Sequence, residues 1–419
     1  MSTPVLEGTP STRAKLLPRA RSGLTFAGPA FLVAVGYMDP GNWGADLAAG
    51  SGFGYTMLWV LVAANVAALV LQYLSAKVGI ATGKDLAAII GERCDPRVRR
   101  AYACVGVVAM LATETAEFLG VVTGLRLLLR IPLLPAIAIG AALVLGLLAL
   151  GRQGDSRNLE RAIFVLLGVV GVAYLMELWL VPPDAGSTLR GLLPGNVTSS
   201  TLPVIVGMVG AVVMPHNLFL HSGLIQSRRT AGGDARTLVR RSTIESVVAL
   251  NVALLVNAAI MLMAAAAFHG RVDISGLAQA HETLVPILGR AAAGMFALAL
   301  LAAGLSSSVT GGIATQYVIR GLVRPGRPLS PFVSRLCGFV PAVVILVAGV
   351  GEIQALLWSQ IVLALVLPAV AIPLVVLSRN TALMGGLADG RRMRPTATVV
   401  VAVLSMLSLA GLGSAFGLL

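Results

Sequence analysis

The sequence predicts an all-α integral membrane protein with eleven transmembrane helices, and three observations carry that expectation. Of 419 residues, 57% are hydrophobic and 12% are charged, with a mean hydropathy of +0.89. A water-soluble domain has no interior large enough to hide that much apolar surface. Eleven apolar runs of about 18 residues or more follow one another, each able to cross a hydrocarbon core about 30 Å thick. Basic residues also gather on alternate connections, as they do in multi-pass membrane proteins.

The runs cover 24–48, 55–78, 101–129, 132–150, 161–181, 200–225, 243–268, 284–315, 333–350, 354–377 and 395–417. The loops between them are short, so no soluble domain is expected. Residues 1–23 are polar and rich in Arg and read as a cytosolic tail. The run after them is too long, and too polar at its centre, for a signal-peptide core.

The net charge of +13 would suit a nucleic-acid partner, but its distribution assigns it to topology. With the N-terminus inside, the inner segments hold all but five of the 31 Lys and Arg. They include Arg13 to Arg21, Lys77 to Arg100, Arg152 to Arg161, Arg228 to Arg241, Arg320 to Arg335 and Arg379 to Arg394. The exceptions are Arg126, Arg130, Arg190, Arg271 and Arg290. An inner bias of this kind is the positive-inside rule. Eleven crossings then place the C-terminus outside. Cys94, Cys104 and Cys337 are scattered without C-x-x-C spacing, which indicates neither a disulfide framework nor a thiolate metal site. An "NVT" triplet at Asn196 falls on an outer loop.

Two of the runs are interrupted. The first holds "GYMDPGNWGADL", Gly36 to Leu47, with Asp39 near mid-membrane, where a carboxylate is costly and usually partnered. Pro40 cannot donate an intrahelical hydrogen bond and Gly41 is a poor helix former, so this point is expected to unwind. Pro40 leaves the Gly36 carbonyl without its donor, and such breaks survive in lipid only where they line a cavity or a site. The sixth run holds "MPHN" at its middle, and Pro215 frees the Ala211 carbonyl in the same way.

Runs one and six head two five-helix sets, 24–181 and 200–377, followed by an eleventh helix, 395–417. An odd number of helices per set makes the second enter from the opposite face. Broken helices at matching places in inverted halves point to a transporter site at the membrane midplane.

The groups expected to converge there are the Asp39 carboxylate, the Asn42 amide oxygen, the Gly36 and Ala211 carbonyls and the Met214 thioether. Several hard oxygens, one soft sulfur and a single full negative charge describe a cation site. Ca²⁺ and Mg²⁺ prefer all-oxygen shells, whereas a thioether favours softer metals. The set therefore tilts toward Mn²⁺ and Fe²⁺, with Cd²⁺ and Co²⁺ as passengers.

His216 and His221 are five residues apart, so they would not share a helix face as a zinc pair does. They read as separate steps of a proton route, a task that suits imidazole. Glu114 and Glu117, three apart on one face of the third run, mark an ion or proton path by default. Asp46 and Glu177 fit either an interfacial or an intramembrane place and rank second. His269 and His281 fall on an outer loop and receive no role.

"DPGN" and "MPHNLFLHS" resemble the signatures of the Nramp family of proton-coupled divalent-metal transporters, as do "LQYLSAKVGIATGKDLA", "SSSVTGGIATQYV" and "LLWSQIVLALVLP". The resemblance implies a LeuT-like fold of ten helices in two inverted repeats plus one. It implies import of Mn²⁺ or Fe²⁺ as substrate with H⁺ as coupling ion and no permanent cofactor. Asp39, Asn42 and Met214 match the family's metal ligands, with backbone carbonyls at Gly36 and Ala211. His216 and His221 match its proton-handling histidines.

Gln360 matches the first Gln of the family's tenth-helix motif, while Val366 replaces the second. Glu114 stands where most bacterial relatives have Asp, and Arg335 alone represents the basic residues of the ninth helix. The implied proton pathway comprises Asp39, His216, His221, Glu114, Glu117 and Arg335. The implied setting is a bacterial inner membrane, with a protein that works as a monomer and binds no nucleic acid.

Other classes remain to be set against this one. A LeuT-like carrier of a small organic solute would give Met214 no role, and a related Mg²⁺ carrier would replace the sulfur. A passive metal channel would use the same ligands to line a pore. Neither G-x-S-x-G nor H-E-x-x-H occurs, which argues against an intramembrane hydrolase.

Overall fold

A computed structural model describes residues 28–415, apart from 153–155, 196, 231–233, 271–273, 275 and 324–328. The expected tail, Asn196, Arg271, Arg324, Arg327 and the outermost ends of the first and last runs lie outside the described residues. Within them the chain is helical, with no strand.

The helices are α1 (Pro29–Gly36), α2 (Pro40–Phe53), α3 (Leu58–Thr82), α4 (Leu86–Arg93), α5 (Pro96–Leu129), α6 (Leu133–Arg152), α7 (Ser156–Leu180), α8 (Ala185–Gly191), α9 (Leu202–Val212), α10 (Pro215–Leu224), α11 (Gln226–Thr230), α12 (Ala235–Ala267), α13 (Leu277–Val318), α14 (Pro331–Val347), α15 (Glu352–Arg379), α16 (Thr381–Met384) and α17 (Met393–Ala415). Every expected apolar run coincides with a helix or with a pair of half-helices. By length and hydropathy alone, eight helical stretches qualify as membrane spans among the described residues. Two more apolar helices, Leu133–Ala149 and Pro331–Val347, are shorter. The count differs from eleven because Pro40–Thr82 reads as one stretch, α2 passing into α3 through a 3₁₀ turn at Gly54–Met57.

Local chemistry sets the boundaries. Asp85, Asp184 and Asp234 cap α4, α8 and α12 by accepting from backbone N–H groups three residues on, which satisfies donors that a helix start leaves open. Pro occupies the first position of α1, α2, α5, α10 and α14, where its missing N–H costs nothing. Inside α13, Gly289 breaks the helix at φ 86°, a conformation open to glycine and strained for other residues.

The bundle has a largely apolar interior in which polar and charged side chains gather at a few places, and an apolar exterior. The stretch holding α9 and α10 is almost wholly enclosed, whereas α7 and α17 expose most of their surface. Leu175, Trp179 and Leu409 project outward, as expected of a surface that meets lipid rather than water. Inside, α5 lies along α13, α9 against α15, and α12 against α2 and α3. Trp43 of α2 wedges between Tyr174 and Phe296, with ring centroids at 5.0 and 5.3 Å.

Lys77, expected on a solvated inner segment, is instead buried near the end of α3. Its ammonium pairs with Asp389, whose other carboxylate oxygen accepts from Ser378 Oγ at 2.6 Å. The stem of a Lys is long enough to bury its charge when an anion waits there. Removing one partner of a buried pair leaves the other unsatisfied. Asp389→Ala is therefore expected to destabilise the fold by about 3–5 kcal/mol, read as a lower thermal midpoint in detergent. An unchanged midpoint would show that the pair contributes nothing.

Candidate metal site between two broken helices

The two interruptions are built alike. At the first, α1 ends at Gly36 and α2 starts at Pro40, with Asp39 as an extended N-cap residue. Asp39 Oδ1 accepts from the Asn42 backbone N–H at 3.0 Å and from Asn42 Nδ2 at 2.7 Å. At the second, α9 ends at Val212 and α10 starts at Pro215, with Met214 in the same cap position. Asn217 Nδ2 turns back to Met214 Sδ at 3.6 Å. Each break thus reads cap residue, Pro, any residue, Asn, and the Asn amide nitrogen points at its own cap.

This capping leaves the amide oxygens free. Asn42 Oδ1, Asn217 Oδ1, Asp39 Oδ2 and Gln360 Oε1 are all buried without a hydrogen-bond partner. A side chain on Gly41 would run into the Gln360 amide and come within 3.0 Å of Asp39 Oδ2. One on Gly36 would meet the Asn217 amide at 2.8 Å. The first break, α10 and α15 therefore pack their polar ends against each other through glycines. Pro40 and Pro215 carry no N–H, so they cannot donate to the carbonyls of Gly36 and Ala211, the second of which is fully buried.

Buried acceptors without donors are costly, and the close approaches at Gly36 and Gly41 bring those of Asn217, Gln360 and Asp39 up to the first break. A cation would satisfy all of them at once. The negative dipole ends of α1 and α9 favour positive charge there. Among the described residues no three His, Cys, Asp or Glu side chains are grouped to hold a metal. The donor set is instead amide and carbonyl oxygen, one carboxylate and a thioether, which is not the imidazole and thiolate environment of a structural zinc site.

The two histidines face different neighbours. His216 Nδ1 lies 3.0 Å from Thr113 Oγ1 of α5. His221 Nδ1 lies 2.8 Å from Gln72 Oε1 of α3, and its Nε2 lies 3.3 Å from Ser242 Oγ of α12. Gln72 in turn donates to the Tyr37 hydroxyl at 2.8 Å, and Asn257 donates to the Tyr37 carbonyl at 3.0 Å. A continuous polar chain thus links His221 to the first break. The sequence reading missed Tyr37, Gln72, Asn217, Ser242 and Asn257. Only Asn217 had a local signal, its place three residues after Met214 matching Asn42 after Asp39.

Glu114 and Glu117 meet Arg335 of α14, which is 1% exposed. Arg335 Nη1 donates to Glu117 Oε2 at 3.1 Å and lies 3.5 Å from Glu114 Oε1, which also accepts from Thr315 Oγ1 at 2.9 Å. The cluster is tightly enclosed: side chains on Gly312 or Gly338 would overlap Arg335 or Glu114. Arg335, counted in the inner charge bias and placed on the ninth helix by the resemblance, is carried by α14 into the interior. One guanidinium faces two carboxylates, so the cluster can take up one proton without acquiring net positive charge. Asp46 and Glu177 are fully buried and belong to neither group. Val366 packs against the apolar core.

An all-helical bundle with two matched mid-helix breaks around buried oxygens is the architecture of a multi-pass membrane transporter. The sequence matches the profile described as "Natural resistance-associated macrophage protein-like" over residues 30–414, and the chain belongs to the Nramp family. It is 39% identical over 405 residues to the divalent metal cation transporter MntH of Granulibacter bethesdensis, covering 95% of this chain and 90% of that protein. To the protein of the same name from Verminephrobacter eiseniae it is 44% identical over 368 residues, covering 87% and 82%. The crystal structure of the Eremococcus coleocola manganese transporter, in complex with an aromatic bis-isothiourea compound, superposes with a TM-score of 0.83 at 33% identity, covering 93% and 86%. Mhp1, a nucleobase-cation-symport-1 family transporter, shares the fold at a TM-score of 0.58 and 15% identity, covering 94% of each chain.

Arg335→Ala should destabilise the protein by about 3–5 kcal/mol, because it strands two buried carboxylates. Adding Glu117→Gln to Arg335→Ala should restore part of the thermal midpoint. If Arg335→Ala unfolds at the wild-type temperature, the cluster contributes no stability.

Proposed function

We propose that the protein is a secondary active importer of divalent transition metals, Mn²⁺ and Fe²⁺ first, with Cd²⁺ and Co²⁺ also accepted, coupled to proton entry. The observation that carries this reading is the set of four buried, unpartnered oxygens at, or packed against, two matched helix breaks, the second of them capped by Met214. Asp39, Asn42, Met214 and the Gly36 and Ala211 carbonyls would hold the substrate ion, with Gln360 joining from α15. The names of the relatives, divalent metal cation and manganese transporters, support the same substrate class.

In this reading residues 24–181 and 200–377 form two inverted five-helix halves, with 395–417 as an eleventh crossing. The N-terminus is cytoplasmic, the C-terminus is outside, and the monomer works in the bacterial inner membrane. Rocking of one helix set against the other would open the site to each face in turn. The Glu114, Glu117 and Arg335 cluster and the His216 and His221 contacts would carry the coupled proton. No resident cofactor is required, since metal and proton are both substrates.

Asp39→Ala removes the one carboxylate of the site. It should weaken Mn²⁺ binding at least about tenfold, or ~1.4 kcal/mol, in a calorimetric titration, and a wild-type dissociation constant would refute the assignment. Met214→Ala should keep Mn²⁺ transport but let Ca²⁺ or Mg²⁺ compete in proteoliposome uptake, because the sulfur is what disfavours hard ions. Unchanged selectivity would remove the sulfur from the argument.

A further inference from the structure

Asp46 of α2 and Glu177, near the end of α7, stand apart from both groups above. Each is 0% exposed, and none of their four carboxylate oxygens has a hydrogen-bond partner. Tyr174, one turn before Glu177, is also buried, and its hydroxyl is unpartnered. Glu177 follows Tyr174 by three residues on α7, and Asp46 follows Trp43 by three on α2, so the edge-on contact of the Trp43 and Tyr174 rings brings the phenol and both carboxyl groups to one region between these helices. Trp43 holds the Tyr174 ring edge-on at 5.0 Å, and its own indole nitrogen lacks an acceptor.

Trp43 and Tyr174 belong to an apolar cluster that also holds Ala264, Phe268, Leu277 and Phe296 from α12, the segment after it and α13. A carboxylate stripped of donors in such a shell is costly unless a proton or a cation joins it. A metal is the poorer fit. The groups run in a line along two helices, and no cluster of three ionisable ligands exists among the described residues. Asp46 lies seven residues after Asp39, nearly two turns on and on the same face. Asp39 caps the start of α2, and Glu177 lies three residues before the last residue of α7. The line therefore leads from the end of α7 to the first break.

We propose that Glu177, Tyr174 and Asp46 form a proton relay from the outer end of α7 to the α2 half-helix. It is built from helices other than those of the Glu114, Glu117 and Arg335 cluster. The proposal rests on the proton coupling put forward above. A proton taken up by Glu177 passes to the Tyr174 oxygen as the phenol releases its own proton, through intervening water, to Asp46. The Tyr174 oxygen forms one O–H bond as it loses another, Glu177 ends ionised and Asp46 ends protonated, so one H⁺ advances and no electrons change hands.

The test uses the full-length protein in liposomes with a trapped pH dye, reading Mn²⁺ uptake and acidification together. Glu177→Gln and Tyr174→Phe should lower proton entry per Mn²⁺ severalfold. Mn²⁺ affinity by calorimetry should stay within about twofold of wild type, a difference of ~0.4 kcal/mol, and Glu177→Asp should restore the ratio. Should Glu177→Gln fail to fold, Tyr174→Phe decides alone, since it keeps the ring against Trp43. A wild-type ratio of proton to metal in Tyr174→Phe overturns the relay while leaving proton coupling intact. Mn²⁺ uptake without acidification by the wild type overturns the coupling, and the relay with it.

Discussion

A proline at the first position of a helix is harmless in water, yet here two such prolines start helices in the interior of an apolar bundle. Pro40 and Pro215 each deprive a preceding carbonyl of its donor, and each lets the chain turn through an extended residue before helix resumes. With no water in a hydrocarbon core, backbone groups released in this way must be satisfied by protein or by something bound. Much of the interior is organised around that requirement. Asn42 and Asn217 fold back on their caps, Asn257 donates to the Tyr37 carbonyl, and Gly36 and Gly41 let α10 and α15 approach closely enough to present their amides.

The same constraint explains the spread of polar groups beyond the breaks. Tyr37 lies in the first gap, so its hydroxyl reaches Gln72 and through it His221. The interior also buries charged side chains, and two groups of them are ion-paired. Lys77 meets Asp389, and Arg335 meets two glutamates steadied by Thr315. Pairs of this kind gain little over an apolar core of the same shape, but they are costly to leave half-made. Their positions therefore tie together helices far apart in sequence: α3 with the segment before α17, and α5 with α14.

The breaks were legible in the sequence because their causes are local. Proline, a short polar cap and the lack of an N–H act within four residues, so the Gly36 and Ala211 carbonyls followed from arithmetic. The pairing of Glu114 with Glu117 was legible for the same reason, as a three-residue helical spacing. What the sequence could not supply was helix rotation and distance across the bundle. Lys77 counts as an inner-segment charge because a basic residue near the end of an apolar run looks solvated whichever way its helix faces. For Arg335 only the family resemblance pointed to a place in the proton pathway. The partners of Tyr37 and His221 lie on α3 and α12, and no periodicity within one helix announces them. Asn217 is the exception, since the shared pattern of cap, Pro, any residue, Asn was present in both runs.

That shared pattern also bears on how such a site can be both firm and reversible. In the proposed site the ligands would come from the last turn of one half-helix and the start of the next, twice over, together with an amide from α15. No single rigid element carries them all, so the arrangement depends on α1, α2, α9, α10 and α15 keeping their places. A shift of any one removes a specific donor and leaves the others without a partner, a state disfavoured by several unsatisfied buried acceptors. In the proposed transport cycle the bound ion would offset that cost in the closed arrangement, and water entering from one face would offset it once a half-helix moves away. Differential satisfaction of the same few oxygens can then couple ion occupancy to the movement of helices.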